Sequence, residues 1–206
     1  MAGTTCSSAS EYIAGLKKVL DNLEPADIDV LADRLYQAWR DNQQVFVFGN
    51  GGSAYTASHF ITDMIKTASV AGQRRLRAIS LVDNYGLTTA LGNDVSYDQT
   101  FVFPLETYAE PGDLAIAISG SGNSPNVVLA CQWAKEHGLT LACLTGFSGG
   151  KIAEMADIHV HVASDNFGII EDLHMSVGHM ICHSLVNRVA ASKEIAGLSG
   201  QSRDSR

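Results

Sequence analysis

The sequence is short of basic residues. Fourteen lysines and arginines (Lys+Arg 14) stand against Asp+Glu 22, for a formal net charge of -8. A surplus of that sign gives no general electrostatic reason to bind DNA, RNA or an acidic membrane, whose phosphates call for Lys and Arg. The small cluster Arg74-Arg75-Arg77 reads as a solvated loop before a strand. Cysteine is sparse too. Cys6, Cys131, Cys143 and Cys182 are scattered, with no C-x-x-C pair. That spacing argues against a zinc knuckle or a disulfide scaffold, and for small core residues in a reducing compartment. No apolar run approaches the roughly 20 residues that a membrane helix needs, and no basic stretch followed by an apolar one opens the chain. The expectation is a cytoplasmic protein with no nucleic-acid or membrane partner.

What is present suits a globular α/β protein. The 206 residues, 46% of them apolar, are enough for one sizeable core. Short apolar, partly β-branched runs predict strands at Val45–Phe48, Arg77–Val82, Leu114–Ser119, Leu139–Thr145 and Ile158–Val162. Between them lie helical stretches: Ala54–Thr67, Tyr85–Leu91, Tyr97–Ala109, Pro125–His137 closed by Gly138, and a last helix at Ile169–Ala191. Two further helices precede the first strand. One starts at Ser8 with Tyr12, Ile13, Leu16 and Leu20 at helical spacing, the other at Pro25 with Ile28, Leu31, Leu35 and Trp39. The alternation predicts a five-stranded parallel sheet in a three-layer α/β/α sandwich, with ligands outside the carboxyl ends of the strands. The expected organisation is a flexible 1–8, a single domain over 9–191 with its extra helices in 9–42, and a flexible tail at 192–206.

Two strand-to-helix turns carry the strongest motifs. Gly49-Asn50-Gly51-Gly52-Ser53 follows the first strand and is poor in side chains, so that backbone N–H groups can approach an anion at the positive end of a helix. Gly49, Gly51 and Ala54 also satisfy the dinucleotide pattern G-x-G-x-x-A, but its acidic partner, Asp83, comes late. That pattern also leaves Ser119-Gly120-Ser121-Gly122-Asn123-Ser124-Pro125 unexplained. Ser124 there is a natural N-cap with Pro125 at the first helical position, while Ser119 and Ser121 need another reason. Together the turns suggest one phosphate held by hydroxyls and helix N-termini. Gly146-Phe147-Ser148-Gly149-Gly150-Lys151 misses the P-loop spacing and has Ile152 where a hydroxyl should follow, so it reads as a helix start.

A second constellation is built of histidines and acids. His59 and Asp63 are four apart on one helix and share a face, and Glu171, His174, His179 and His183 lie on the last helix. Such an i, i+4 pair is more often a surface hydrogen bond than a metal pair. If the two helices meet, two imidazoles and two carboxylates form a reasonable shell for zinc. His137 is most simply a helix C-terminal cation, and His159 and His161 the polar face of a strand.

With both serine-bearing turns in place, the chain resembles the sugar isomerase (SIS) domain family, and within it the sedoheptulose 7-phosphate (phosphoheptose) isomerases. The matching stretches are Gly49–Ser53, His59 with an acid four residues on, Gly92-Asn93-Asp94, Ile118–Ser124, Leu144-Thr145-Gly146, and the last helix with His174 and His179. The resemblance implies a flavodoxin-like fold, a homotetramer whose contacts use the N-terminal helices, and one Zn2+ per site on His59, Asp63, Glu171 and His179. It implies a phosphorylated sugar bound by Asn50, Gly51, Gly52, Ser53, Asn93, Asp94, Ser119, Ser121, Ser124 and Glu171, with Asp63, Glu171 and His179 catalytic. Moving a carbonyl between C1 and C2 requires proton transfers that a carboxylate and a histidine can share. Asp63 stands where the family has glutamate, and Glu171 where it has glutamine. An arginine often found shortly after the catalytic acid is missing at Thr67, with Lys66 the candidate substitute. Two alternatives stay open: a non-catalytic, phosphosugar-sensing member similar to the DnaA initiator-associating protein, or an isomerase of a different phosphosugar. His179 favours the enzyme, since that relative departs from the isomerase pattern there.

Overall fold

The apolar runs at the centre of the sequence become the strands at the centre of the sheet. The computed structural model describes residues 3–192. Helices α1 (Ala9–Asp21) and α2 (Pro25–Asp41) lead into β1 (Gln44–Gly49) and α3 (Gly52–Thr62), which runs on into a π-helical turn at Asp63–Thr67. Strand β2 (Arg77–Ser80) and α4 (Tyr85–Asp94) follow, then a 3-10 turn at Tyr97–Gln99 and α5 (Val102–Tyr108). Strand β3 (Leu114–Ser119), α6 (Pro125–Glu136), β4 (Thr140–Thr145), α7 (Gly150–Met155), β5 (Ile158–His161) and α8 (Phe167–Ala191) complete the fold.

All strand pairs are parallel, in the order β2-β1-β3-β4-β5. Every residue of β3 is buried, and so is all of β1 and β4 beyond their first residue. A strand covered on both faces needs side chains that are apolar without alternation, which is what Val45–Phe48 and Leu114–Ile118 supply. The two faces have separate cores. Val45, Val47, Leu114, Ile116 and Leu144 pack with α2, α3 and α8. Phe46, Phe48, Ala115, Ala117 and Cys143 pack with α5, α6 and α7. The order of strands reverses between β1 and β3, so the loops after these two strands open side by side, where ligands bind in folds of this kind.

Local chemistry explains where the elements begin and end. The Ser8 hydroxyl accepts from the Glu11 N–H at 3.2 Å and starts α1, and Asn42 closes α2 at φ 58. The single helix expected over Tyr97–Ala109 is divided. Pro104 is the third residue of α5, where its missing N–H costs nothing, whereas a helix begun at Tyr97 would put it in the interior. The last helix starts at Phe167 because the Asn166 side chain accepts from the Ile169 N–H at 3.2 Å. Residues 3–8, expected to be flexible, are tied to the start of α8: Thr4 donates to the Asp165 carbonyl at 2.9 Å and to its carboxylate at 2.8 Å. The expected tail lies, beyond Ser192, outside the described residues. Among the described residues no helix is long and apolar enough to cross a membrane.

One buried polar group of α8 makes the fold sensitive to acid. His174 is 1% exposed, its Nε2–H donates to the Thr145 carbonyl at 3.2 Å, and its Nδ1 has no hydrogen-bond partner. Burial lowers its pKa from 6.5 to about 4, outweighing the bond to Thr145. Between those values the unfolded chain takes up a proton that the folded one does not. Stability is therefore fully present above about pH 6.5 and lost as the pH falls towards 4, by about 3 kcal/mol for this group. Thermal melts from pH 7.5 down to 4.5 should show that loss, and His174→Gln should flatten the profile.

Candidate active site

Three loops at the carboxyl ends of the strands are packed backbone to backbone. Gly49 has no room for a side chain: a Cβ there would lie 2.5 Å from the Ile118 carbonyl and 2.8 Å from the Ser53 Cβ. Ser53 is thereby held against the end of β3, and Gly51 takes φ 55 with ψ -122, which a side chain would strain. In the second loop the Gly122 N–H donates to the Ser119 hydroxyl at 3.1 Å and the Asn123 N–H to the Ser121 hydroxyl at 3.3 Å. Each hydroxyl that accepts from the loop keeps its own hydrogen to donate outward. Ser124 occupies the N-cap position of α6, yet its side chain makes no cap hydrogen bond. The loop after β4 buttresses the second one: Gly146 N–H donates to the Gly120 carbonyl at 2.9 Å, Ile152 N–H to that of Gly122 at 3.2 Å, and Lys151 N–H to the Asn123 side chain at 3.2 Å.

The first and second loops are joined by a network around Asn50, expected at the sugar, whose partners Asn126, Thr100 and Tyr97 sequence reasoning missed. Asn50 and Asn126 exchange amide hydrogen bonds at 2.8 and 2.9 Å, and Asn126, 1% exposed, also donates to the Thr100 hydroxyl at 3.1 Å. The Tyr97 hydroxyl donates to Asn50 Oδ1 at 3.0 Å. The only sign of this in the sequence is Asn126 itself, a polar residue ahead of the apolar run Val127–Ala130. Asn93 and Asp94, expected at the substrate, sit exposed at the end of α4 and bond to each other at 2.6 Å. Their link to the loops runs through Tyr97, whose ring lies against Gly92.

Helices α3 and α8 lie side by side and run in the same direction. Glu171 lies against Gly52, His179 against His59, and Cys182 against Asp63, an offset of 119 or 120 residues throughout. Gly178 faces the Phe60 ring across this contact, where a Cβ would stand at 3.4 Å from it. At the far end of this contact His59, Asp63 and His179 converge. The two Nε2 atoms are 3.0 Å apart, and Asp63 Oδ2 is 3.3 Å from that of His59 and 3.5 Å from that of His179. Glu171, the fourth expected ligand, stands two turns earlier on α8, with its carboxylate where a Gly52 side chain would be.

The other candidates fall elsewhere. Asp83, the ribose partner of the dinucleotide pattern, accepts a short hydrogen bond from the Ser58 hydroxyl of α3. The Cys182 thiol donates to the Asp63 carbonyl at 3.5 Å, and burial, aided by Asp63, pushes its pKa up to about 11, so it stays protonated. His159 and His161 bond to Thr145 Oγ1 at 2.7 Å and to the Phe147 carbonyl at 3.0 Å, holding the loop after β4. A groove of about 790 Å³ runs along β2, lined by residues such as Ile61, Ile65, Ile79 and Leu87 and by none of the serines or the histidines above.

The packing of the loops yields a direct test. Gly150 has φ +62, and a Cβ on it would collide with the Ser121 carbonyl and the Gly122 backbone. Gly150→Ala should displace the serine loop and weaken binding of a sugar phosphate by about tenfold, the equivalent of one hydrogen bond of roughly 1.4 kcal/mol, as read by calorimetric titration.

Known proteins share the family match and the fold. Residues 11–146, more than half of the chain, match the SIS domain family. The phosphoheptose isomerase of Mycobacterium bovis is 39% identical over 165 residues, covering 80% of this chain and 83% of that protein. That of Geobacter sp. strain M21 is 38% identical over 166 residues, covering 81% and 85%. The solved structure of the phosphoheptose isomerase of Neisseria gonorrhoeae superposes with a TM-score of 0.79 at 28% identity, over 85% of this chain and 95% of that one. The sugar isomerase domain of an RpiR transcription factor from Sphaerobacter thermophilus, at 21% identity and a TM-score of 0.61, shares the fold alone. The chain belongs to the SIS domain family, and within it to the phosphoheptose isomerases.

Proposed function

We propose that the chain is an aldose–ketose isomerase that interconverts D-sedoheptulose 7-phosphate and D-glycero-D-manno-heptose 7-phosphate through an enediol. The observation that carries this reading is the convergence of Asp63 Oδ2 on the Nε2 atoms of His59 and His179, at 3.3 and 3.5 Å. His59 lies seven residues along α3 from Gly52, on the order of 10 Å at 1.5 Å per residue. That is the reach of an extended heptose phosphate between its phosphate and its carbonyl.

The donor set fits zinc. A tetrahedral ion with bonds of about 2.0–2.2 Å has donor–donor edges of about 3.4 Å, and the edges here are 3.0, 3.3 and 3.5 Å. Two imidazole nitrogens and one carboxylate oxygen would hold the ion and leave a position open, the pattern of catalytic zinc sites. Zinc bound there supplies a Lewis acid that polarises the substrate carbonyl.

The protein's own groups account for the rest. Ser53, Ser119, Ser121 and Ser124 donate to the phosphate, together with the N–H groups at the start of α3, and binding there orients the reacting carbons. Asp63 takes the proton from the carbon beside the carbonyl and returns one to the neighbouring carbon, and His179 exchanges a proton with the substrate oxygens. Glu171 stands against Gly52 at the phosphate end of that span, where it would meet substrate hydroxyls. A sensing role without catalysis is not favoured, because both the acid–base pair and the phosphate loops are present in one chain. We assign the protein to the cytoplasm, a reducing compartment suited to its free cysteines.

The reading extends to assembly as a homotetramer. Helix α1 buries none of its residues fully, and Ile13 and Leu20 on α1 and Val30 on α2 are exposed. Sedimentation should give a mass about four times the 22.0 kDa of one chain. Catalysis is tested by giving chelator-treated protein sedoheptulose 7-phosphate in D2O, with and without zinc, and following C1 and C2 by NMR. Deuterium should enter with formation of the aldose, zinc should stimulate it, and His179→Ala should slow it by about 10²- to 10⁴-fold. Binding of the sugar phosphate without any exchange would contradict the isomerase.

A further inference from the structure

Threonines in the helices of this chain follow one habit. Thr56 and Thr62 on α3, Thr88 and Thr89 on α4, and Thr107 on α5 all donate their hydroxyls to the backbone carbonyl four residues earlier. Thr67 does not. Its hydroxyl donates to Asp63 Oδ1 at 3.0 Å, to the side chain four residues earlier instead of the backbone. The reason lies in the π-turn. Asp63 begins it, and its carbonyl is already taken by the Ala68 N–H at 2.8 Å, five residues on, and by the Cys182 thiol at 3.5 Å. With that acceptor satisfied from two directions, the carboxylate is the partner left within the reach of Thr67.

The consequence falls on the site. The terminal torsion of an aspartate is broad and roughly two-fold, so an unheld carboxylate presents either oxygen at a range of angles. Here Oδ1 is fixed by Thr67, and Oδ2 faces the two imidazoles at 3.3 and 3.5 Å. Nothing in Asp63-Met64-Ile65-Lys66-Thr67 announces a wider turn, since it holds neither proline nor glycine. Such turns collect at functional sites.

We infer that Thr67 is a positioning residue for this centre: its hydroxyl fixes the plane of the Asp63 carboxylate, and the π-turn frees it to do so. The inference rests on the reading of His59, Asp63 and His179 as the metal-holding, reacting centre. Partners that orient a metal-ligating group are worth about 10- to 100-fold in affinity or activity.

Thr67→Val removes the hydroxyl at nearly constant shape, and Thr67→Ser restores it. For wild type and both variants, zinc affinity of the chelator-treated protein is measured by competition with a chromogenic chelator. In parallel, kcat and KM for sedoheptulose 7-phosphate and the melting temperature are recorded. Thr67→Val should weaken zinc binding and lower kcat, each by about tenfold or more. KM and the melting temperature should stay at wild-type values, because the phosphate is gripped elsewhere, and Thr67→Ser should behave as wild type. An active, zinc-binding wild type with an unchanged Thr67→Val overturns the role of Thr67 and leaves the site reading standing. So does an effect on KM alone, or a loss that Thr67→Ser fails to rescue. A wild type that neither holds zinc nor isomerises overturns the site reading, and this inference with it.

Discussion

The contact between α3 and α8 is what the site depends on. The two helices advance together at a nearly constant offset, and glycines stand at two points along the contact. Gly52 gives way to the Glu171 carboxylate, and Gly178 admits the Phe60 ring. Between and beyond these points the register brings His179 onto His59 and Asp63. A slip of one residue along either helix would turn the facing side chain by about 100° and separate the imidazoles. The rest of the fold serves this contact. The sheet places the N-terminus of α3 at the switch point, and the buried stripe of α8, from Ile169 through Leu173, Val177 and Ile181 to Val189, keeps that helix pressed on the core.

The serine loops are rigid for a related reason. Three consecutive strand ends deliver three loops whose backbones touch, so a phosphate would meet donors already held in place rather than side chains ordered on binding. Such preorganisation is what allows binding energy at a remote phosphate to be spent on aligning the reacting carbons. The amide pair of Asn50 and Asn126 extends that rigidity across the switch point.

Much of this was legible in the sequence, and the remainder fails to be legible for physical reasons. The three central strands announce themselves because a parallel strand buried on both faces must be apolar throughout. Both serine loops show because glycines and hydroxyls at a strand-to-helix turn have few other uses. The pairing of His59 with Asp63 follows from helical spacing, but the arrival of His179 beside them needs the register of α3 against α8, which has no periodic signature. The same register sets Glu171 apart from the three, although eight residues of one helix allow it the same face as His179. The contacts of Asn126 and the π-turn at Asp63 are invisible for a different cause: each is defined by what its polar atoms meet in space.

The central claim is that His59, Asp63 and His179 form one metal-holding centre. The most direct measurement is X-ray absorption of the zinc-loaded protein, which counts the ligands around the ion. The account predicts two imidazoles and only nitrogen or oxygen donors at about 2.0–2.2 Å, with one imidazole lost in either His59→Ala or His179→Ala. A shell containing sulfur, or an imidazole count unchanged by both substitutions, would contradict it.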